Sequence, residues 1–323
     1  MKLRRIIFWL LTIILVVIVS AVAAGYFYIS NKLEMVNYEA RQNNIQSEDS
    51  GNSIGGKEDK DIINIMLIGV DNDYLPGMQE RGNADGLVLL SINTNTKQIV
   101  MTSIMRDISI KIPDMYSTKV TLVYHYEGTD VLLDTLEYNF DIGIDKYVLV
   151  NYLNVIDIVD AMGGLEMEVT AAEIQGMESK IENLNTLTGD PAGTDVLTAE
   201  DAGMRLLNGK QVAALLRIRN TGNNDYGRTL RAREILTAMK DKAKEMSLSE
   251  LNNLADVVME NVTTDMTTTD MLGLMIKAPA YMGYELVSNR IPIEGSYSSD
   301  GSFLYIDYEA NVKALHDLIL NGQ

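Results

Sequence analysis

The sequence predicts an α/β fold, an α-β-α sandwich around a mixed central sheet, preceded by one N-terminal transmembrane helix. Three observations carry this. Continuous apolar runs of strand length, IINIMLIGV (62–70) foremost, are what strands buried on both faces require. Segments of helical spacing alternate with them and stop at glycines, which is the pattern of a layered α/β domain. An uncharged apolar run from Ile6 to Ile29 follows Lys2, Arg4 and Arg5, and roughly 20 apolar residues span a bilayer.

In order along the chain, residues 1–5 form a cytoplasmic tail and 6–29 the membrane helix, with the basic residues on the inner side. Ala21-Val22-Ala23 resembles a signal-peptidase site, but the apolar run exceeds a signal peptide's usual core. Residues 30–60 are polar and rich in Ser, Gly, Asp and Glu, a linker composition, with room for a short helix to about Arg41. Residues 61–323 form one domain. Its first strand runs from Ile62 to Asp71, and GLVLLSI (86–92) and QIVMTSI (98–104) are two more, joined by a turn at Asn93–Lys97. Ile108–Ile112 alternates as a short strand. Val120–Tyr138 is helical with a break at Gly128, Lys146–Val150 is a strand, and Asn151–Met162 is a helix stopped by Gly163-Gly164. Leu165–Val169 follows as a strand. Residues 171–200 read as a polar surface excursion. Thr198–Leu207 and Gly209–Leu215 read as short helices and Leu216–Arg219 as a strand end. Three helices follow at 228–246, 249–262 and 268–278, then strands at 284–293 and 303–305 and a terminal helix at 308–320.

Composition excludes several chemistries. There is no cysteine, hence no disulfide, thiol nucleophile or thiolate-bound metal. His125 and His316 are the only histidines, too few for a His-rich zinc site. A net charge of -18 opposes general nucleic-acid binding. P-loop, G-x-S-x-G and G-x-G-x-x-G signatures are absent from the sequence.

Against that acidic background, five of the twelve arginines lie between Arg217 and Arg233. Guanidinium is always charged, and its fork matches phosphate oxygens two at a time. On a strand, Arg217 and Arg219 point to one face. Arg228 and Arg231 share a helix face, and Arg228 opens that helix, where backbone N–H groups favour anions. Arg233 faces elsewhere. Four arginines thus converge on an anion-sized site, although a solvated helix face with surface ion pairs has the same composition. Asp71 and Asp85 adjoin strand ends, where open α/β sheets bind ligands. Two acids beside a phosphate site suit Mg²⁺, while isolated acids there also serve as turn or cap residues. Arg106-Asp107 adds a cation and an acid after the strand that ends at Ile104.

Six segments stand in a telling order: NIMLIGVD (64–71), NADGLVLLSIN (83–93), VMTSIMRDISIKIP (100–113), STKVTLVYHYEG (117–128), DKYVLVNYLNVIDIVDAMGGLEMEV (145–169) and LNGKQVAALLRIRN…DYGRTLRAREIL (208–236). Over about residues 62–240 the chain closely resembles the LytR-CpsA-Psr family. The resemblance implies a membrane-anchored phosphotransferase of Gram-positive bacteria, with its catalytic domain outside the membrane. It would move a glycopolymer from undecaprenyl pyrophosphate to peptidoglycan, with no nucleic-acid partner. It assigns Mg²⁺ or Mn²⁺ to Asp71 and Asp85, and pyrophosphate to Arg106, Arg217, Arg219, Arg228 and Arg231. Arg106, Asp85 and Asp107 become the catalytic group, with Asp107 or Asp85 as proton acceptor. Asp225 takes the acid position of the family's D-F-G-R pattern, and Lys119 belongs to the fourth motif. One departure stands out. The family commonly reads Arg-Ser-Asp-Thr where this chain has Asn83-Ala84-Asp85-Gly86, and Arg81 is the substitute donor that a flexible loop could bring to the phosphate. A non-catalytic binder of lipid-linked glycans and a pyrophosphate hydrolase are the competing functions.

Overall fold

The computed structural model describes residues 35–42, 61–71, 81–218 and 224–322, the side chains of 224–226 and 228 excepted. The Ile6–Ile29 run lies outside them. Among the described residues no helix is long and apolar enough to cross a membrane.

The thirteen strands among the described residues are β1 Asn37–Tyr38, β2 Ile62–Val70, β3 Ala84–Asn93, β4 Gln98–Ile104, β5 Ser109–Lys111, β6 Ser117–Lys119, β7 Lys146–Asn151, β8 Leu165–Val169, β9 Gly203–Leu207, β10 Thr263–Thr264, β11 Glu285–Ile291, β12 Tyr297–Ser299 and β13 Leu304–Ile306. The α-helices are α1 Val120–Glu127, α2 Thr129–Phe140, α3 Tyr152–Ala161, α4 Ala171–Thr188, α5 Gly209–Arg217, α6 Asn224–Glu245, α7 Leu248–Asn261, α8 Thr268–Tyr281 and α9 Tyr308–Asn321.

Seven strands form a mixed sheet in the order β1-β10-β7-β2-β3-β4-β11. β2 pairs parallel with β7 and antiparallel with β3, and β4 pairs parallel with β11. Strand alternation divides the apolar residues between two faces. Met66, Ile68, Leu87, Leu89 and Tyr147 pack on one side against Val123 of α1, Leu133 and Phe140 of α2, and Leu315 of α9. Ile65, Ile92 and Ile99 pack on the other, with Met266 of the loop before α8 and Tyr281 of α8. Helices on both faces of a central mixed sheet are the layered α/β architecture the apolar runs predict. The β3–β4 turn closes at Asn93, whose side-chain oxygen accepts the N–H groups of Asn95 and Thr96, with Lys97 left-handed at φ 56°.

The helix break at Gly128 (φ 92°) and the stop at Gly163-Gly164 (φ 78° and 89°) lie where the sequence places them. Other elements differ. The supposed excursion after 170 contains α4, capped by Thr170 and Glu173 in a reciprocal box. Its buried residues Ile174, Met177, Ile181 and Leu184 recur at helical spacing, which the surrounding polar residues obscure. Residues 203–207, expected as helix, form β9, because pairing with β8 (Leu165↔Leu207) overrides local propensity. Arg217 ends helix α5 rather than lying on a strand, so its expected shared strand face with Arg219 does not exist. Helix α6 begins at Asn224, which puts Arg228 in its second turn, away from the N–H groups of the opening.

Residues expected as linker take part in the domain. Asn37 and Tyr38 extend the sheet beside Thr263 and Thr264, and they are strand rather than helix. Arg41 is clamped by Asp134 at 2.7 Å, by Glu137 and by the carbonyl of Ile144 at 3.1 Å.

Candidate functional site

The carboxyl ends of β2, β4 and β7 lie together with the start of β3, the crevice position where α/β sheets bind ligands. Asp71 leaves β2 here, its N–H donating to the Asn83 carbonyl at 2.9 Å. The β2–β3 register runs Gly69↔Gly86 and then Val70↔Ala84, so Asp85 is the extra residue of a bulge. Bulges re-aim a side chain. Asp85 Oδ1 thereby accepts from Arg106 Nη1 at 2.9 Å and from Thr121 Oγ1 at 3.3 Å, with the Asp85 side chain only 3% exposed.

Arg106 is gripped from behind as well. Asp107 Oδ2 lies 3.4 Å from Arg106 Nε, and Asp107 Oδ1 accepts from Lys119 Nζ at 2.8 Å. Lys119 also sits 5.4 Å from the ring centre of Phe303. The result is an alternating chain, Asp85–Arg106–Asp107–Lys119, in which each charge fixes the next.

Below this chain is an apolar cavity of about 300 Å³, between the sheet face and helices α3, α6 and α7. Leu67, Val148, Val155, Ile235, Met239 and Val258 line it, and Asp85 and Arg106 are among its few charged lining groups. Gly69 and Gly86 face each other across β2 and β3 in its wall. A Cβ on either one would stand 3.6 Å from the other's Cα, so the bare pair leaves lumen where side chains would project.

Arg217 meets the same wall from α5. Its guanidinium lies 5.0 Å from the ring centre of Tyr152, a lining residue, and donates to Asn183 at 3.0 Å. Arg231 is buried. It donates to Glu173 at 2.9 Å and to the carbonyl of Ile218 at 3.2 Å, so it ties the start of α4 to the residue that follows α5. Burial pushes the Glu173 carboxyl up, but hydrogen bonds from Thr170 and Arg231 outweigh it and bring the group below its ordinary value. The Arg81 guanidinium packs on Gly128, where an added Cβ would come within 3.2 Å of its Cζ. This puts Arg81 at the α1–α2 joint. Arg219 lies outside the described residues, as do the side chains of Asp225 and Arg228. Among the described residues no three His or acidic side chains gather as a metal cluster. Thr121, which donates to Asp85, and the cavity-lining Tyr152 and Asn151 join the site beyond the residues expected from the sequence. Asn151 lines the cavity and caps α3 in a reciprocal box with Asn154, and that Asn-x-x-Asn spacing was its available signal.

The sequence model of the LytR_cpsA_psr family matches residues 25–318. The chain belongs to that family. Among its relatives, the polyisoprenyl-teichoic acid–peptidoglycan teichoic acid transferase TagU of Oceanobacillus iheyensis is 29% identical, over 96% of this chain and 92% of that protein. Biofilm regulatory protein A of Streptococcus mutans is 27% identical, over 96% and 75%. The solved structure of the LytR-CPS2A-psr family protein YwtF (TagT) with bound octaprenyl pyrophosphate lipid has TM-score 0.56 at 23% identity, covering 87% of this chain and 96% of that one. The fold of the LytR_cpsA_psr family is therefore the fold seen here.

Proposed function

We propose that this chain is a membrane-anchored transferase that moves a glycopolymer from undecaprenyl pyrophosphate to peptidoglycan. The observation that carries the reading is the apolar cavity with the Asp85–Arg106 pair at its polar end. A polyprenyl pyrophosphate needs that combination: an apolar slot for the tail and a cation at the phosphates. The TagU relative's name supports the substrate class.

In the proposed reaction a sugar hydroxyl of peptidoglycan attacks the phosphorus nearer the glycan. A phosphodiester forms, the P–O–P bond breaks, and polyprenyl phosphate leaves. Arg106 neutralises the charge that develops on the leaving oxygen, with Arg217, Arg219 and Arg228 as further phosphate donors. Asp85, at the cavity, takes the hydroxyl proton. Asp107, bracketed by Arg106 and Lys119, orients Arg106, and Arg231 fixes the chain at Ile218, next to Arg217. Asp71, just after β2, and Asp85, at the start of the adjoining β3, offer hard carboxylate oxygens, the donor type Mg²⁺ or Mn²⁺ accepts. When bound, the ion would neutralise pyrophosphate charge. The Ile6–Ile29 run would hold the domain on the outer face of the cytoplasmic membrane.

The test is the full-length chain in detergent with a polyprenyl-pyrophosphate-linked glycan, Mg²⁺ and peptidoglycan. Transfer predicts equal amounts of polyprenyl phosphate and peptidoglycan-linked glycan. Polyprenyl phosphate with free phosphorylated glycan would make it a hydrolase, and binding without either product would make it a carrier.

A further inference from the structure

Arg233 is left out of the site above, yet it is not an ordinary surface arginine. It follows Ala232, a cavity-lining residue of α6, and its Nε and Nη1 atoms are buried without a hydrogen-bond partner. Burial pushes its guanidinium pKa down, and the positive charge of Arg290 adds to that effect, against a smaller opposing pull from Glu234. Arg290 lies on β11 in parallel register with Ser103 of β4. Ser103 lines the cavity, and its hydroxyl donates to the Thr229 carbonyl of α6 at 3.4 Å. Paired residues of neighbouring strands project to the same face, about 4.8 Å apart, so Arg290 rises beside the cavity wall, under the same helix that carries Arg233. Its acidic neighbour Glu294, at 3.2 Å, is 92% exposed, so water weakens that pairing.

Two guanidinium groups brought together, one with buried donors unmet, destabilise a fold unless something answers them. An oxyanion does so on both counts. It accepts the idle N–H groups and cancels the like charge.

We propose that Arg233 and Arg290 form a second oxyanion subsite, one strand over from the cavity, for a phosphate or carboxylate on the glycan chain that the lipid carries. The identity of the occupant rests on the proposed transferase reading. The subsite itself does not.

The experiment is thermal melting of the full-length chain in detergent, at constant ionic strength, with inorganic phosphate as probe. Wild type, Arg233→Met, Arg290→Gln and Arg106→Met are compared. Without phosphate, Arg233→Met should melt above wild type, because an unmet buried charge is gone. Its phosphate-dependent rise should be smaller than that of wild type, and Arg290→Gln should show the same reduced rise. Arg106→Met should retain that component. An Arg233→Met protein that melts below wild type without phosphate, or either subsite variant responding to phosphate as wild type does, overturns the proposal. Lipid-linked donors with phosphate-bearing and neutral glycans then test the occupant. Arg233→Met should raise KM about tenfold for the charged donor alone, and equal KM changes for both donors would overturn the glycan assignment. A lost phosphate response with no transfer from any donor would keep the subsite and sink the transferase.

Discussion

Arg106 Nη1 lies 2.9 Å from Asp85 Oδ1, and that carboxylate is almost wholly buried. The pair couples the bulge of β3 to the loop after β4. Removing one member of a buried pair leaves an uncompensated charge, which costs about 3–5 kcal/mol. Arg106→Met should therefore destabilise by that order, and Asp85→Asn added to it should restore part of the loss. A double-mutant cycle by denaturant melting measures the coupling, and additive losses would show that the two residues do not interact.

The same arginine faces the proposed phosphates. Losing its charge-assisted hydrogen bonds should lower transfer by about 1.5–3 kcal/mol, roughly ten- to a hundredfold in rate. Arg106→Lys keeps the charge but not the fork, and should recover only part of the activity. Initial rates of polyprenyl phosphate release decide this, and full activity in Arg106→Met would remove Arg106 from the mechanism.

Glu173 and Arg231 give a pH signature. The folded Glu173 carboxyl titrates below its ordinary value, so its stabilising contribution is complete above the unfolded value, about 4.3. It disappears as pH falls through the lower folded value. Glu173→Gln should thus be less stable than wild type at neutral pH, with the gap closing in acid below about pH 4. Urea melting across that range checks it, and a gap independent of pH would mean that the ionised pair contributes nothing.

How much of this was legible depends on what each residue's signal consists of. Asp71 and Arg106 stand beside long apolar strands, and strand ends can be read from periodicity, so their place at the crevice was open to prediction. The position of Asp85 is legible in the same way, but its orientation is not, since that comes from a bulge visible only in the β2–β3 register. The alternation in LLRIR reads as a strand at Arg217, whereas Asn208 and Gln211 cap the segment as a helix. The burial of Arg231 could not be read from its helix, because its partner Glu173 lies 58 positions earlier in the chain. Aliphatic residues that line a lumen have the composition of those that fill a core, so the cavity was not readable at all.

That cavity yields its own prediction. Ala232 lines it from α6. Ala232→Leu adds apolar volume where space already exists, so stability should change by less than about 1.5 kcal/mol, while octaprenyl pyrophosphate binding should weaken at least tenfold. Quenching of lipid-induced tyrosine fluorescence changes, or direct lipid capture, measures the affinity. Undiminished binding would place the prenyl chain elsewhere.

Arg41 fastens residues 35–42 to α2. Its side chain is 10% exposed and that of Asp134 4%, so the ion pair is held away from water. Burial lowers the arginine's affinity for its proton, but the hydrogen bonds and charges of Glu137 and Asp134 together raise it. Arg41→Ala strands two acids beside each other and should cost about 3–5 kcal/mol. Adding Asp134→Asn and Glu137→Gln should recover part of that loss by removing the repulsion. If the segment served only as a tether, Arg41→Ala would melt with wild type, and proteolysis between residues 35 and 42 would leave the stability of the remaining domain unchanged. The clamp predicts instead that such a cut lowers the melting temperature, because β1 and its pairing with β10 are lost with it.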